Sequence, residues 1–391
     1  MASNPPFKQE PHKLLVIPGP IEVADDVLYA NAHPSMSHTS PDFIKVFGDC
    51  IRMIRTVLYS PNSQPFLIAG SGTLGWDQVA SNLVQPGENV LVLNSGYFGD
   101  SFTDCLQTYG AHVDQVQAKL GEAVQPSELE AALQGKSYKL VTITHVDTST
   151  GVLSDAKALC ETVKRVSPNT LVALDGVCSV ASEEIHQEEW GIDVVLTATQ
   201  KGLGTPPGLS IVNASQAAMK AFHERSTPPG SYYASWKRWL PIMQAYEAGR
   251  ASYFATPPVN LVYAFHASLS QITKGTPSLQ ERFQQHREAS KRIKDTAEAL
   301  GLEQVAVDSK FAANGMTALY FPVGLSASDI VPKMAEKDVT IAAGLHKDIK
   351  ERYFRIGHMG ISVVDKARGD IDKVLDALTE VVKKALATQK S

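Results

Sequence analysis

At 391 residues the chain exceeds the roughly 250–300 residues at which a single hydrophobic core stops growing, so two domains are expected. A hydrophobic content of 43%, a charged content of 20% and a net charge of −5 are globular values, and no segment carries the basic stripe of a nucleic-acid binder. No apolar run is long enough for a transmembrane helix, and Cys50, Cys105, Cys160 and Cys178 lack metal or redox spacing, which points to free thiols in a reducing, cytoplasmic setting.

The opening MASNPPFKQEPHK has neither the apolar core of a signal peptide nor an arginine-rich amphipathic pattern, and Gln389-Lys390-Ser391 is not a Ser-Lys-Leu address. An N-terminal arm is expected over residues 1–20, a large domain over 21–275 and a small domain over 276–391. Within the large domain, Pro65–Ala69 predicts a strand and Leu74–Val84 a helix entered through Gly70-Ser71-Gly72-Thr73. Asn89–Leu93 is the next strand, followed by a helix over Gly99–Tyr109 and a strand over His112–Val116. Ser127 and Glu130 have capping-box spacing for a helix running to about Leu133.

Tyr138–Thr144 and Thr170–Leu174 predict two more strands around a helix from Asp155 to Val166, and Ile192–Thr197 with Leu209–Val212 a close strand pair. Such alternation predicts an α/β fold, a mostly parallel seven-stranded sheet whose strand ends carry the ligand site. Lys274-Gly275-Thr276-Pro277-Ser278 marks a break. Beyond it, Leu279–Leu300 predicts a long charged helix, and Met316–Pro322, Val339–Ala343 and Tyr353–Ile356 predict strands of a smaller α/β domain. Asp370–Thr388 predicts a closing helix.

Five places could carry chemistry. Gly70-Ser71-Gly72-Thr73, between strand and helix, suits a phosphate, or else serves as a capped turn. It lacks the lysine of a nucleotide loop and the distal acid of a dinucleotide fingerprint. Asp175 ends a buried strand, where a carboxylate either caps a turn or holds a pyridine nitrogen protonated. Lys201 follows an apolar strand and precedes a Gly- and Pro-rich loop; a desolvated amine there becomes a Schiff-base nucleophile, and otherwise it is solvated. His145-Val146-Asp147-Thr148-Ser149 compresses hydrolase residue types into one loop without a nucleophile elbow, so a hydrolase is disfavoured. Arg355, between apolar neighbours, suits a carboxylate clamp or an internal ion pair. The residue types and spacings indicate no metal site.

In this order the motifs resemble fold-type I pyridoxal-5′-phosphate (PLP) enzymes, in particular the class V group of alanine–glyoxylate and serine–pyruvate aminotransferases. The resemblance spans Pro18-Gly19-Pro20 to Arg355-Ile356-Gly357, and His38-Thr39-Ser40-Pro41 and Gly70 to Trp76 look most like the fungal members. It implies that Lys201, 26 residues after Asp175, forms the Schiff base and shuttles the Cα proton. It further implies that Asp175 pairs with the pyridinium nitrogen, Val177 packs beneath the ring and Phe98 stacks on it. Ser71, Gly72, Thr73 and Gln200 would hold the phosphate, and Ser149 would meet the phenolic oxygen or the substrate.

Tyr253 and Thr256 match positions that reach the phosphate of a neighbouring subunit, which implies a homodimer with shared active sites. Arg355 would grip the carboxylate of small amino acids and 2-oxo acids. Thr73 and Phe98 replace a histidine and a tryptophan common in mammalian members. The implied activity is transamination of glyoxylate by L-alanine. Serine as donor is the alternative, and a cysteine desulfurase is disfavoured because Cys178 lies too near Asp175 to move as a nucleophile.

Overall fold

The computed structural model describes residues 7–389; residues 1–6 of the expected arm and the last two residues of the Gln389-Lys390-Ser391 tail lie outside the described residues. Seven strands form the central sheet: β1 (Gln64–Ala69), β2 (Asn89–Asn94), β3 (His112–Gln117), β4 (Leu140–Thr144), β5 (Leu171–Asp175), β6 (Val194–Ala198) and β7 (Leu209–Ala214). Their order is β1-β7-β6-β5-β4-β2-β3. Only β7 runs against its neighbours, pairing antiparallel with β1 and β6; the other pairs are parallel. Runs such as Leu-Val-Ala-Leu and Val-Val-Leu are apolar at every position because helices cover both faces of the sheet. The expected strand pair at the sheet's far side is this β6–β7 hairpin-like ladder.

One cluster of buried side chains runs from Phe43 to Ile272 and sandwiches this sheet. A second gathers Leu14 and Val16 with residues between Ala289 and Val382. Helix α1 (Thr73–Leu83) follows β1 and α2 (Tyr97–Thr108) follows β2, so both begin at the carboxyl ends of strands. A longer helix, α3 (Leu279–Ala299), starts with a capping box between Ser278 and Glu281 and packs between the two clusters. Ser40 likewise caps the Pro41–Val57 helix, with Pro41 in its first turn, which accounts locally for the Ser40-Pro41 pair.

Two sequence expectations are corrected. The capping box sits at Gln125 and Glu128, not at Ser127 and Glu130. Pro126, with its fixed φ and no N–H to satisfy, takes the first helical position, so the cap lies two residues upstream of Ser127. Glu130 instead pairs with Arg165 at 2.9 Å. The stretch Val339–Ala343 is not one strand. Val339–Thr340 pairs parallel with Leu14–Leu15 of the N-terminal arm, whereas Ala342–Ala343 pairs antiparallel with Tyr353–Gly357. Two partners on different sides break the strand at Ile341. Among the described residues no helix is long and apolar enough to cross a membrane, and no cluster of metal-ligating side chains occurs.

Candidate active site

The carboxyl ends of β1, β2, β4, β5 and β6 surround a cavity of about 230 Å³. Strand β5 ends in Asp175, which is 4% exposed and sits on the cavity wall. Each of its carboxylate oxygens accepts one protein hydrogen bond, Oδ2 from the Trp76 indole at 2.8 Å and Oδ1 from the Val177 amide at 3.0 Å. Burial pushes its pKa up to about 6 against the opposing pull of the two donors.

Lys201 follows β6 and is 7% exposed. Its Nζ donates to the Pro18 carbonyl and, at 3.4 Å, to Thr148 Oγ1; among the described residues it makes no ion pair. Burial lowers the pKa of this amine, and the nearby Arg355 charge adds to the effect. Gly19 crosses directly over the lysine. Its φ of +101° is open to glycine, and a Cβ there would stand 2.3 Å from Lys201 Cδ. The N-terminal arm therefore roofs the amine.

Ser71, Gly72 and Thr73 line the opposite wall at the start of α1, where the first amides have no intrahelical acceptor. Phe98, Val177 and Gln200 line the same cavity. Gln200 Oε1 is buried without a protein partner. Arg355 lies just outside the lining, its Nε on the Ala343 carbonyl at 2.9 Å and its Nη1 on the Thr148 carbonyl at 3.1 Å. It has no carboxylate partner among the described residues, so the internal ion pair considered from sequence is not formed.

Ser149 is not in the cavity. It is fully buried behind the wall, its hydroxyl donating to Asp147 and accepting from the Tyr97 amide at 3.1 Å. Asp147 also accepts the Phe98 amide at 3.1 Å and so ties the aromatic loop to the hydroxyl loop. Thr148, one residue earlier, presents its side chain to the cavity instead, because neighbouring residues of the loop point to opposite sides. Tyr253 and Thr256 are exposed and stand apart from this chain's own cavity.

The sequence profile of the class V aminotransferases matches residues 24–359. The chain belongs to this family. Its sequence is 43% identical over 364 residues to alanine–glyoxylate aminotransferase 1 of Saccharomyces cerevisiae, covering 90% of this chain and 93% of that protein. It is 31% identical to L-aspartate–glyoxylate aminotransferase of Paracoccus denitrificans, covering 88% and 86%. Among solved structures, alanine–glyoxylate aminotransferase from Nostoc sp. superposes with a TM-score of 0.88 at 26% identity, covering 96% of each chain.

The chain is thus a PLP-dependent aminotransferase of fold-type I. Its cavity fits that cofactor on chemical grounds. An amine without a counter-ion, a carboxylate at the far wall, helix-start amides and an orphaned Gln200 oxygen match an aldehyde, a ring nitrogen and a phosphate ester. Pro18, Gly19, Trp76, Asp147 and Thr148 complete the site; the sequence motifs include them but assign none of them a role there. A tryptophan three residues into a helix that begins at a phosphate turn was the signal available for Trp76.

Proposed function

We propose that the enzyme transfers the amino group of L-alanine to glyoxylate, giving pyruvate and glycine. The observation that carries this reading is the Lys201 amine, buried without a counter-ion, in one cavity with Asp175 and beneath the start of α1. A PLP held there would supply an aldehyde carbon for the amino group and a ring able to take up the electron pair left by Cα–H cleavage.

Lys201 Nζ, whose pKa burial lowers, would take the proton from the substrate Cα and return it to the cofactor's aldehyde carbon, two atoms further along. Asp175 holds positive charge on the ring nitrogen. Phe98 and Val177 would flank the ring, and Ser71, Gly72, Thr73 and Gln200 would hold the phosphate. Thr148 Oγ1 and the Pro18 carbonyl keep Nζ directed into the cavity. Arg355, with Nη2 free of protein carboxylates, grips the substrate carboxylate. Among the described residues Lys201 is the only cation lining the cavity, so a second carboxylate has no clamp there, and this favours small monocarboxylic donors.

A homodimer with shared sites accompanies this reading. The exposed Tyr253 and Thr256 would reach the phosphate bound by the partner subunit. Four unpaired cysteines fit a reducing compartment such as the cytosol. The test is a matrix of alanine, serine and glutamate against glyoxylate, pyruvate and 2-oxoglutarate. The largest kcat/KM is expected for alanine with glyoxylate. A larger value for serine, or for any glutamate pair, overturns the assignment of donor.

A further inference from the structure

Asp175 lies at the bottom of the cavity, where burial opposes the ionised carboxylate that a protonated ring nitrogen requires. The chain supplies one side-chain donor against that penalty, Trp76 Nε1 at 2.8 Å from Oδ2. Trp76 is itself 6% exposed and sits in the first turns of α1, the helix whose start carries Ser71, Gly72 and Thr73. Its indole stacks on Phe102 with centroids 5.5 Å apart and meets Phe98 edge-on at 6.3 Å. One rigid bicyclic side chain therefore touches the carboxylate and braces the aromatic wall, from a helix fixed to the phosphate cradle.

Packing alone does not require tryptophan here. A phenylalanine would fill the same layer between Phe98 and Phe102, but it carries no N–H. An indole donor is directional and has no acceptor capacity, so it stabilises the carboxylate over the carboxylic acid. The Val177 amide occupies the other oxygen at 3.0 Å, so the carboxylate is held at both ends and cannot rotate about its Cβ–Cγ bond without losing one bond.

We propose that Trp76 is a positioning residue for the transamination, holding Asp175 ionised and oriented toward the cofactor's ring nitrogen through the indole N–H. The inference rests on the reading that Asp175 faces that nitrogen. Loss of the N–H raises the acidity threshold of Asp175, weakens its hold on the ring nitrogen and slows proton removal, while substrate-carboxylate binding at Arg355 is untouched.

The test measures the dissociation constants of PLP and of its 1-carba analogue, which has carbon in place of the ring nitrogen, for the apoenzyme. It compares wild type with Trp76→Phe and with β-(3-benzothienyl)alanine installed at position 76. The second variant replaces the N–H by sulfur at nearly constant shape and keeps the inference testable if Trp76→Phe fails to fold. PLP binding is expected to weaken about tenfold in both, with carba-analogue binding within about twofold of wild type. Likewise kcat for alanine falls about tenfold and KM stays within about twofold. Equal weakening toward both cofactors, or toward neither, overturns the inference and makes Trp76 a packing residue. Wild type that binds PLP and the carba analogue equally overturns the underlying placement of Asp175 instead.

Discussion

Two of the regions in which this molecule buries charged side chains are built on opposite terms. In the seam between the hydrophobic clusters, α3 carries Arg282, His286 and Lys294 inward. Arg282 spends its guanidinium on the Ala181 and Gly202 carbonyls at 2.9 and 2.7 Å. His286 donates from Nδ1 to the Arg282 carbonyl and accepts the Gly360 amide at Nε2. Lys294 donates to the Ala313 carbonyl at 2.7 Å, and Glu183 accepts from Asn314. Apart from His358 Nδ1, these groups end on protein atoms.

At the cavity capacity is left over: Lys201 meets only neutral oxygen acceptors and Gln200 Oε1 has no partner, while Arg355 rests on two carbonyls as Arg282 does but stands beside the cavity. Burial of a charge therefore does not mark a site in this fold. What sets the cavity apart is that the unspent capacity is gathered there, on an amine and an amide facing one space, whereas single unpartnered atoms such as those of Asn213, Gln285 and His358 are scattered; an unpaired buried polar group costs about 1–3 kcal/mol.

The contrast is sharpest at Lys201. Lys201→Ala should lower kcat by about 10³-fold or more and abolish covalent trapping of the cofactor by borohydride. Near-normal turnover would place the base elsewhere. Arg355→Ala should lower kcat/KM for alanine and for glyoxylate by about 100-fold, chiefly through KM, because charge-assisted bonds to the substrate carboxylate are lost. Unchanged KM for both would return Arg355 to a structural role like that of Arg282.

The smallest effect belongs to the seam and is read in stability. Burial holds His286 and His358 in the seam down to about 3, whereas an unfolded histidine takes up its proton near 6.5. The unfolded chain binds more protons below pH 6.5, so stability is expected to fall between pH 6.5 and 5. At one pH unit below 6.5 the loss is about 1.4 kcal/mol per histidine. Thermal melts across that window check it, and His358→Asn should shallow the decline. A flat Tm profile would mean that the seam accepts charge as readily as solvent does.

Much of the large sheet could be read directly from the sequence. A strand buried on both faces must be apolar at each position, so β2, β4, β5 and β6 stand out from their surroundings. The residues that meet at the strand ends could be anticipated because each follows such a run, as Asp175 follows β5 and Lys201 follows β6. What escaped depends on partners distant in the chain. The Trp76–Asp175 bond spans 99 residues and the Lys201–Pro18 contact 183, and neither leaves a local pattern. The division of Val339–Ala343 has the same origin, since half of it answers to Leu14–Leu15. Thr148 and Ser149 exchanged places because a turn, unlike a strand or helix, has no fixed side-chain period.

The parallel pairing of Leu14–Leu15 with Val339–Thr340 also bears on how the enzyme is made. During synthesis from the N-terminus, every strand of the central sheet has emerged by Ala214, yet the arm that roofs Lys201 waits for a partner more than a hundred residues later. Domains fold as units while the chain grows, so a nascent chain holds a formed sheet with an open amine before its first segment can dock. The roof over the lysine therefore closes only once Val339–Thr340 has emerged, and a ribosome-bound intermediate that ends before it should expose Lys201 to amine-reactive reagents that the finished enzyme excludes.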